Sequence, residues 1–227
     1  MSLRTLLTAA LIGAAASALA AGENTNWPNY REGDFVIADY RFTSSETLPQ
    51  LKLHYRTLGA AERNAAGEIV NGVLLLQGNT GTGANWLRSS LADELFKPGQ
   101  PLDAGRYFII IPDALGRGGS SKPSDGLKGK FPHYRYRDMV DSAHRLVTEG
   151  LKVGHLRLVI GSSLGCMHSF LWAESYPEVL SRSVLEFDWH GLRLDEDTWS
   201  GSKVNRLIDE FLGEALPSID FAHGDLT

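Results

Sequence analysis

The chain has a single cysteine, Cys166, in 227 residues, so no disulfide can form within it and the fold must be held by its core. It also lacks any concentration of positive charge. The 22 Lys and Arg are outnumbered by 27 Asp and Glu, for a formal charge of −5, which argues against nucleic acid or an anionic membrane surface as a partner. His and carboxylate residues do not recur at metal-ligand spacing, so no metal site is expected. The glycine-rich stretch Gln77-Gly-Asn-Thr-Gly-Thr-Gly83 has no Gly-Lys-Ser/Thr ending, which excludes a P-loop. With 43% hydrophobic and 22% charged residues, the composition is that of an ordinary globular domain.

The first 20 residues read as a segment outside the fold. Arg4 gives a positive start, Leu6 to Leu19 is apolar or small, and Ala18-Leu19-Ala20 has the small-x-small pattern cut by signal peptidase. The run falls short of the ~20 apolar residues of a spanning helix, and no cysteine follows it for lipid attachment. The expectation is cleavage after Ala20, export to the periplasm or beyond, and no stable membrane anchor.

Beyond it, Phe35–Phe42 and Leu51–Thr57 alternate apolar and polar residues and predict a half-exposed antiparallel strand pair, joined by a polar stretch containing Pro49. Val73–Leu76, Tyr107–Ile111 and Leu156–Ile160 are instead nearly continuous apolar runs, as strands covered on both faces should be. Crossover helices are predicted at Asn85–Phe96 and at Arg135–Glu149, the second ended by a left-handed cap at Gly150. A third helix starts at Leu164 and stops near Tyr176, because Pro177 follows. This alternation predicts an α/β fold: a mostly parallel sheet with helices on both faces and an antiparallel strand pair at its N-terminal edge.

Gly161-Ser162-Ser163-Leu164-Gly165 fits the G-x-S-x-G pattern. With 24 glycines and frequent serines, that pattern arises by chance in roughly one such sequence in five, so its context decides. It follows a buried strand and opens a helix directly, which is the setting of a nucleophile elbow. Ser163 is therefore the candidate nucleophile, and Gly161 and Gly165 are elbow glycines needed where the backbone passes too close for side chains. The candidate oxyanion-hole donors are the backbone N–H groups of Leu164, just after the nucleophile, and Asn79, in the Gln77–Gly83 loop. Cys166 reads as a small packed hydrophobe.

These motifs, together with Tyr30-Arg-Glu-Gly-Asp34, Leu53-His-Tyr-Arg-Thr-Leu-Gly59, Arg106-Tyr-Phe-Ile-Ile-Ile-Pro-Asp113, Gly116-Arg-Gly-Gly-Ser-Ser-Lys-Pro-Ser124 and Gly161-Ser-Ser-Leu-Gly-Cys-Met167, resemble the homoserine O-acetyltransferase family of α/β hydrolases, above all its exported, hydrolase-like relatives. The resemblance runs from Asn26 to about Val184. It departs from the family's usual pattern at Gln77, where a His is usual, and at Cys166, where a glycine is. It implies a serine that takes an acyl group from a small-molecule ester or acyl donor and passes it to an alcohol or water, with no metal or redox cofactor. Homodimers are frequent among such relatives, so self-association is carried as an expectation.

In this fold the acid and histidine follow the serine in the chain. A strand-plus-helix unit takes ~30 residues, and the partners normally come two or three units later, so the stretch from Ser163 to Thr227 is short for them. The expectation is a core over 27–184 followed by a truncated or divergent tail over 185–227, with one strand at Ser183–Phe187 and an amphipathic helix from Lys203 to Pro217. His223 is the candidate base, with His190 behind it. His54, His144 and His168 are expected to have surface or packing roles. The rival to an acyl-transferring enzyme is a catalytically inactive fragment, or a protein that binds small ligands without turnover.

Overall fold

A computed structural model describes residues 26–180 and the backbone of 183–186. The candidate base His223, His190 and the two ends of the chain lie outside the described residues. Among the described residues, six strands form one sheet: β1 (Arg31–Arg41), β2 (Thr47–Leu58), β3 (Gly72–Leu76), β4 (Phe108–Pro112), β5 (Leu156–Ser162) and β6 (Ser183–Glu186). Their order in space is β1-β2-β4-β3-β5-β6. The β1–β2 and β2–β4 pairs are antiparallel and the rest are parallel. This is the mixed sheet that the apolar and alternating runs predict.

In β1 the alternation is shifted by one residue. Ile37 and Tyr40 are both buried although they are three apart: Asp39 takes a left-handed φ of 48° between them, while the register with β2 is unbroken on either side, Ala38 opposite Gln50 and Tyr40 opposite Leu48. Pro49, expected in the connection, lies within β2 instead. It is tolerated because this end of β2 pairs with β1 alone, β4 pairing with β2 only from Tyr55 to Leu58.

In the central strands neighbouring residues face opposite helical layers. Val73, Leu75, Ile109, Ile111, Leu158 and Ile160 pack with Leu95 and Phe96 of α1 (Ser89–Phe96). Leu74, Leu76, Ile110 and Val159 pack with Val140 and Ala143 of α2 (Tyr136–Arg145) and Trp172 of α3 (Leu164–Ser175). Both faces are thus covered, which is why these strands read as unbroken apolar runs.

Two helix boundaries differ from the sequence reading. The crossover expected over Asn85–Phe96 is a 3₁₀ turn (Gly83–Leu87) and then α1, separated by extended backbone at Arg88 (ψ 135°). The second crossover ends in a wider π-turn over Leu146–Gly150, and Gly150 is not its left-handed cap; Lys152 (φ 61°) takes that conformation. Gly150 is needed for space instead, because a Cβ there would lie 2.8 Å from the ring of Phe35. Among the described residues, no helix is long and apolar enough to cross a membrane.

The chain passes from β3 to β4 on one side of β3, then returns through α2 to β5 on the other. Such a reversal leaves a crevice at the C-terminal ends of the two strands flanking it, where open α/β sheets bind ligands.

Candidate active site

Both candidate loops leave the sheet at this crevice. Leu76, the last residue of β3, is in register with Gly161 of β5, so the Gln77–Gly83 loop and the turn at Ser163 start side by side. β5 ends at Ser162, α3 begins at Leu164, and Ser163 alone makes the turn with φ 52° and ψ −113°. A serine in that region is strained, and it persists because the strand and helix on either side hold it there. Ser163 is exposed while Leu164, Gly165 and Cys166 behind it are buried.

The two glycines are required by backbone contact. A Cβ on Gly161 would fall 2.0 Å from the carbonyl oxygen of Gly165, and one on Gly165 would fall 2.3 Å from that of Leu76. The helix therefore starts in van der Waals contact with the ends of two strands. That closeness sets the N-terminal end of α3, including the Leu164 N–H, at Ser163.

The loop after β3 lies against this turn. A Cβ on Gly78 would sit 3.5 Å from the Cβ of Ser163, so the chain at Gly78 is an immediate neighbour of Ser163. Within the loop, Gln77 Nε2 donates to Gly81 O at 3.2 Å, and Asn85 Nδ2 donates to Thr80 O at 3.2 Å. The Asn79 side chain accepts a hydrogen bond from Arg117. A cleft of about 160 Å³ is bordered by Asn79, Arg117, Tyr134, Arg135, Tyr136, Met139 and Leu164, the residue that follows Ser163. Both candidate oxyanion donors thus stand at one cleft.

Asp113, to which the sequence reading assigned no role, ties this region together. Its buried carboxylate accepts from Gly83 N and Gly119 N, each at 2.7 Å, and from Arg56 Nη1 at 3.1 Å. It fastens the far end of the Gln77–Gly83 loop and the loop carrying Arg117 to the top of the sheet. The available signal was its position at the end of an apolar strand, where a charge must find partners.

The described histidines are engaged elsewhere. His54 Nδ1 pairs with Asp34 at 2.8 Å, His133 with Glu46 at 3.0 Å, and the His144 ring stacks on Tyr176 at 3.7 Å. His168 is on the buried face of α3, and burial alone pushes it down to about 4, so it is neutral at pH 7. These are the surface and packing roles expected for His54, His144 and His168. Among the described residues none of them is hydrogen-bonded to Ser163, and no group of three His, Cys, Asp or Glu could hold a metal.

A strand-turn-helix serine, beside a loop from the neighbouring strand at the reversal point of a mixed sheet, matches one architecture. Residues 71–205, more than half of the chain, match the family model described as alpha/beta hydrolase fold. The chain belongs to the α/β-hydrolase family.

Within that family it is 32% identical over 145 residues to a probable acyltransferase of Methanothermobacter thermautotrophicus, covering 63% of this chain and 44% of the relative. It is 28% identical over 219 residues to the homoserine O-acetyltransferase of Haloferax volcanii, covering 85% and 51%. Among solved structures, the acetyl esterase MekB superposes with a TM-score of 0.59 at 26% identity, over 68% of this chain and 44% of that one. The α/β-hydrolase chain therefore spans about half the length of the curated relatives named, or less.

Proposed function

We propose that this chain carries the nucleophile and oxyanion-binding parts of a site that moves a small acyl group from an ester to water or an alcohol. The observation that carries the reading is Ser163, an exposed serine held at φ 52° between β5 and α3 with the Gly78 backbone against it. Ser163 Oγ forms a bond to the acyl carbon, and its proton passes to a base. The carbonyl oxygen takes negative charge between the N–H groups of Leu164 and Asn79, and the alcohol leaves with a proton. A second oxygen nucleophile then takes the acyl group and frees Ser163. His223 is the proposed base, the role its place after the nucleophile in chain order allows.

A small acyl group suits a cleft of about 160 Å³, below the roughly 300–1,000 Å³ of drug-sized ligand sites. The printed activities of the relatives, acyltransferase and acetyl esterase, support the same class. The signal-like start favours hydrolysis outside the cytoplasm, where acyl-CoA donors are scarce, and N-terminal sequencing of the exported protein is then expected to begin at Ala21.

Incubation with a fluorophosphonate, followed by peptide mass analysis, tests the reading. The phosphonyl adduct is expected on Ser163 and absent from Ser163→Ala. A folded wild-type chain that does not label would overturn acyl transfer. It would favour the second reading, a small-ester binder without turnover.

A further inference from the structure

Beneath the elbow, between the sheet and helices α2 and α3, lies a gap of about 10 Å³ bounded by Gln77, Leu115, Met139, Ala143, His168 and Trp172. Three of these residues carry a buried polar atom with no hydrogen-bond partner among the described residues: Gln77 Oε1, His168 Nε2 and Trp172 Nε1. Their residues are 3%, 3% and 0% exposed, so bulk water does not serve them. Native interiors leave only a few such atoms unpaired, and three of the five among the described residues border this one gap. His168 and Trp172 are four residues apart on α3 and so stand on one face of it, one above the other. Gln77 enters from the end of β3 with its Nε2 already committed to Gly81 O.

We propose that this gap is a binding site for one water molecule, which accepts from Trp172 Nε1–H and donates to Gln77 Oε1 and His168 Nε2. The gap is about the size of a single water, for which ~10–15 Å³ suffices, and no larger guest fits. The hydrogen-bonding roles close: the indole nitrogen can only donate, the amide oxygen can only accept, and a neutral imidazole with its proton on Nδ1 accepts at Nε2. A cation would face the indole N–H, and an anion would face the amide oxygen and the imidazole lone pair. Neutral water with two hydrogens to give and a lone pair to receive is the species that matches.

The water has a positioning role as well. Gln77 begins the loop that lies against Ser163, and His168 and Trp172 belong to the helix that begins just after it. Gln77 is then held at both ends of its amide, to Gly81 directly and to α3 through the water. This inference does not depend on turnover at Ser163, and failure of the labelling experiment leaves it standing.

A crystal structure of the full chain at about 1.8 Å tests it. The expected result is a single density peak about 2.7–3.2 Å from all three atoms. An absent peak, or direct bonding of these atoms to protein groups, including those of residues 187–227, would overturn it. A double-mutant cycle gives a second reading in solution. Gln77→Met and His168→Leu are each expected to shift the unfolding equilibrium about tenfold, and together by well under a hundredfold, because each change forfeits the same water. Full multiplication of the two effects would count against a shared water.

Discussion

The two faces of the central sheet are built from the same strands and differ in what they bury. On the α1 face, Val73, Leu75, Ile109, Leu158 and Ile160 meet Leu95 and Phe96 in an apolar layer. On the α2 and α3 face, Leu74, Ile110 and Val159 share their layer with the buried polar residues Ser142, His168 and Ser169, and Gln77 stands at its upper end. Asp138 and Ser142 of α2 and His168 and Ser169 of α3 are the buried polar side chains of these two helices. One face is therefore a scaffold that resists deformation, and the other holds the parts whose positions matter to Ser163. Polar networks specify geometry at a cost in burial, and an apolar layer opposite can supply that cost.

The largest effect that breaks this comparison is at the elbow. Ser163→Ala is expected to abolish phosphonylation while leaving the unfolding midpoint within ~0.5 kcal/mol of wild type, since an exposed side chain is lost. A large loss of stability would mean that Ser163 holds the fold together. Next in size is a change to the scaffold. Phe96→Ala removes a side chain that is 1% exposed and packs edge-on against Trp27, and is expected to cost about 3–5 kcal/mol in denaturant unfolding. The labelling rate of its folded fraction should stay near wild type, because the α1 face does not border the cleft.

How much of this was legible in the sequence follows from what each feature depends on. Val73–Leu76 and Leu156–Ile160 were readable as buried strands because coverage on both faces leaves no alternation to disguise them. The tight turn from β5 to α3 was readable because Gly161 and Gly165 answer to backbone contacts at 2.0 and 2.3 Å, which no exchange of neighbouring side chains can relieve. Gly150 was misread for the complementary reason. A glycine demanded by a distant ring, Phe35, looks in sequence like a glycine demanded by its own backbone angle. The break at Arg88 carries no proline or glycine to announce it. The hub at Asp113 joins Gly83, Gly119 and Arg56, which only the folded sheet brings together.

Acid should reveal the polar face next. Folded His168 is held at about 4 against an ordinary value of 6.5, so between those pH values the unfolded chain binds a proton that the folded chain refuses. The stability that depends on a neutral His168 is intact above pH 6.5 and is lost as pH falls toward 4, by an amount on the order of 3 kcal/mol. Burial lowers His144 as well and adds in the same direction, so the comparison must be with a variant. In urea melts at pH 7 and pH 4.5, His168→Gln is expected to lose less stability between the two than wild type does. Equal losses would mean that the face tolerates an imidazolium.

The smallest effect gives the finest test, because Ile109 and Ile110 are successive residues of β4, both 0% exposed, that point to opposite layers. Ile→Val at either removes one methylene and is expected to cost about 0.5–1.5 kcal/mol. If the faces differ only in polarity, the two costs agree and labelling of Ser163 is unchanged in both variants. If the layer under α2 and α3 also sets the position of the elbow, Ile110→Val alone slows labelling of the folded protein, since Ile110 packs in the same layer as Trp172 while Ile109 packs with α1. Slower labelling in Ile109→Val would reverse the roles of the two faces, and the comparison needs only two conservative variants and one rate measurement.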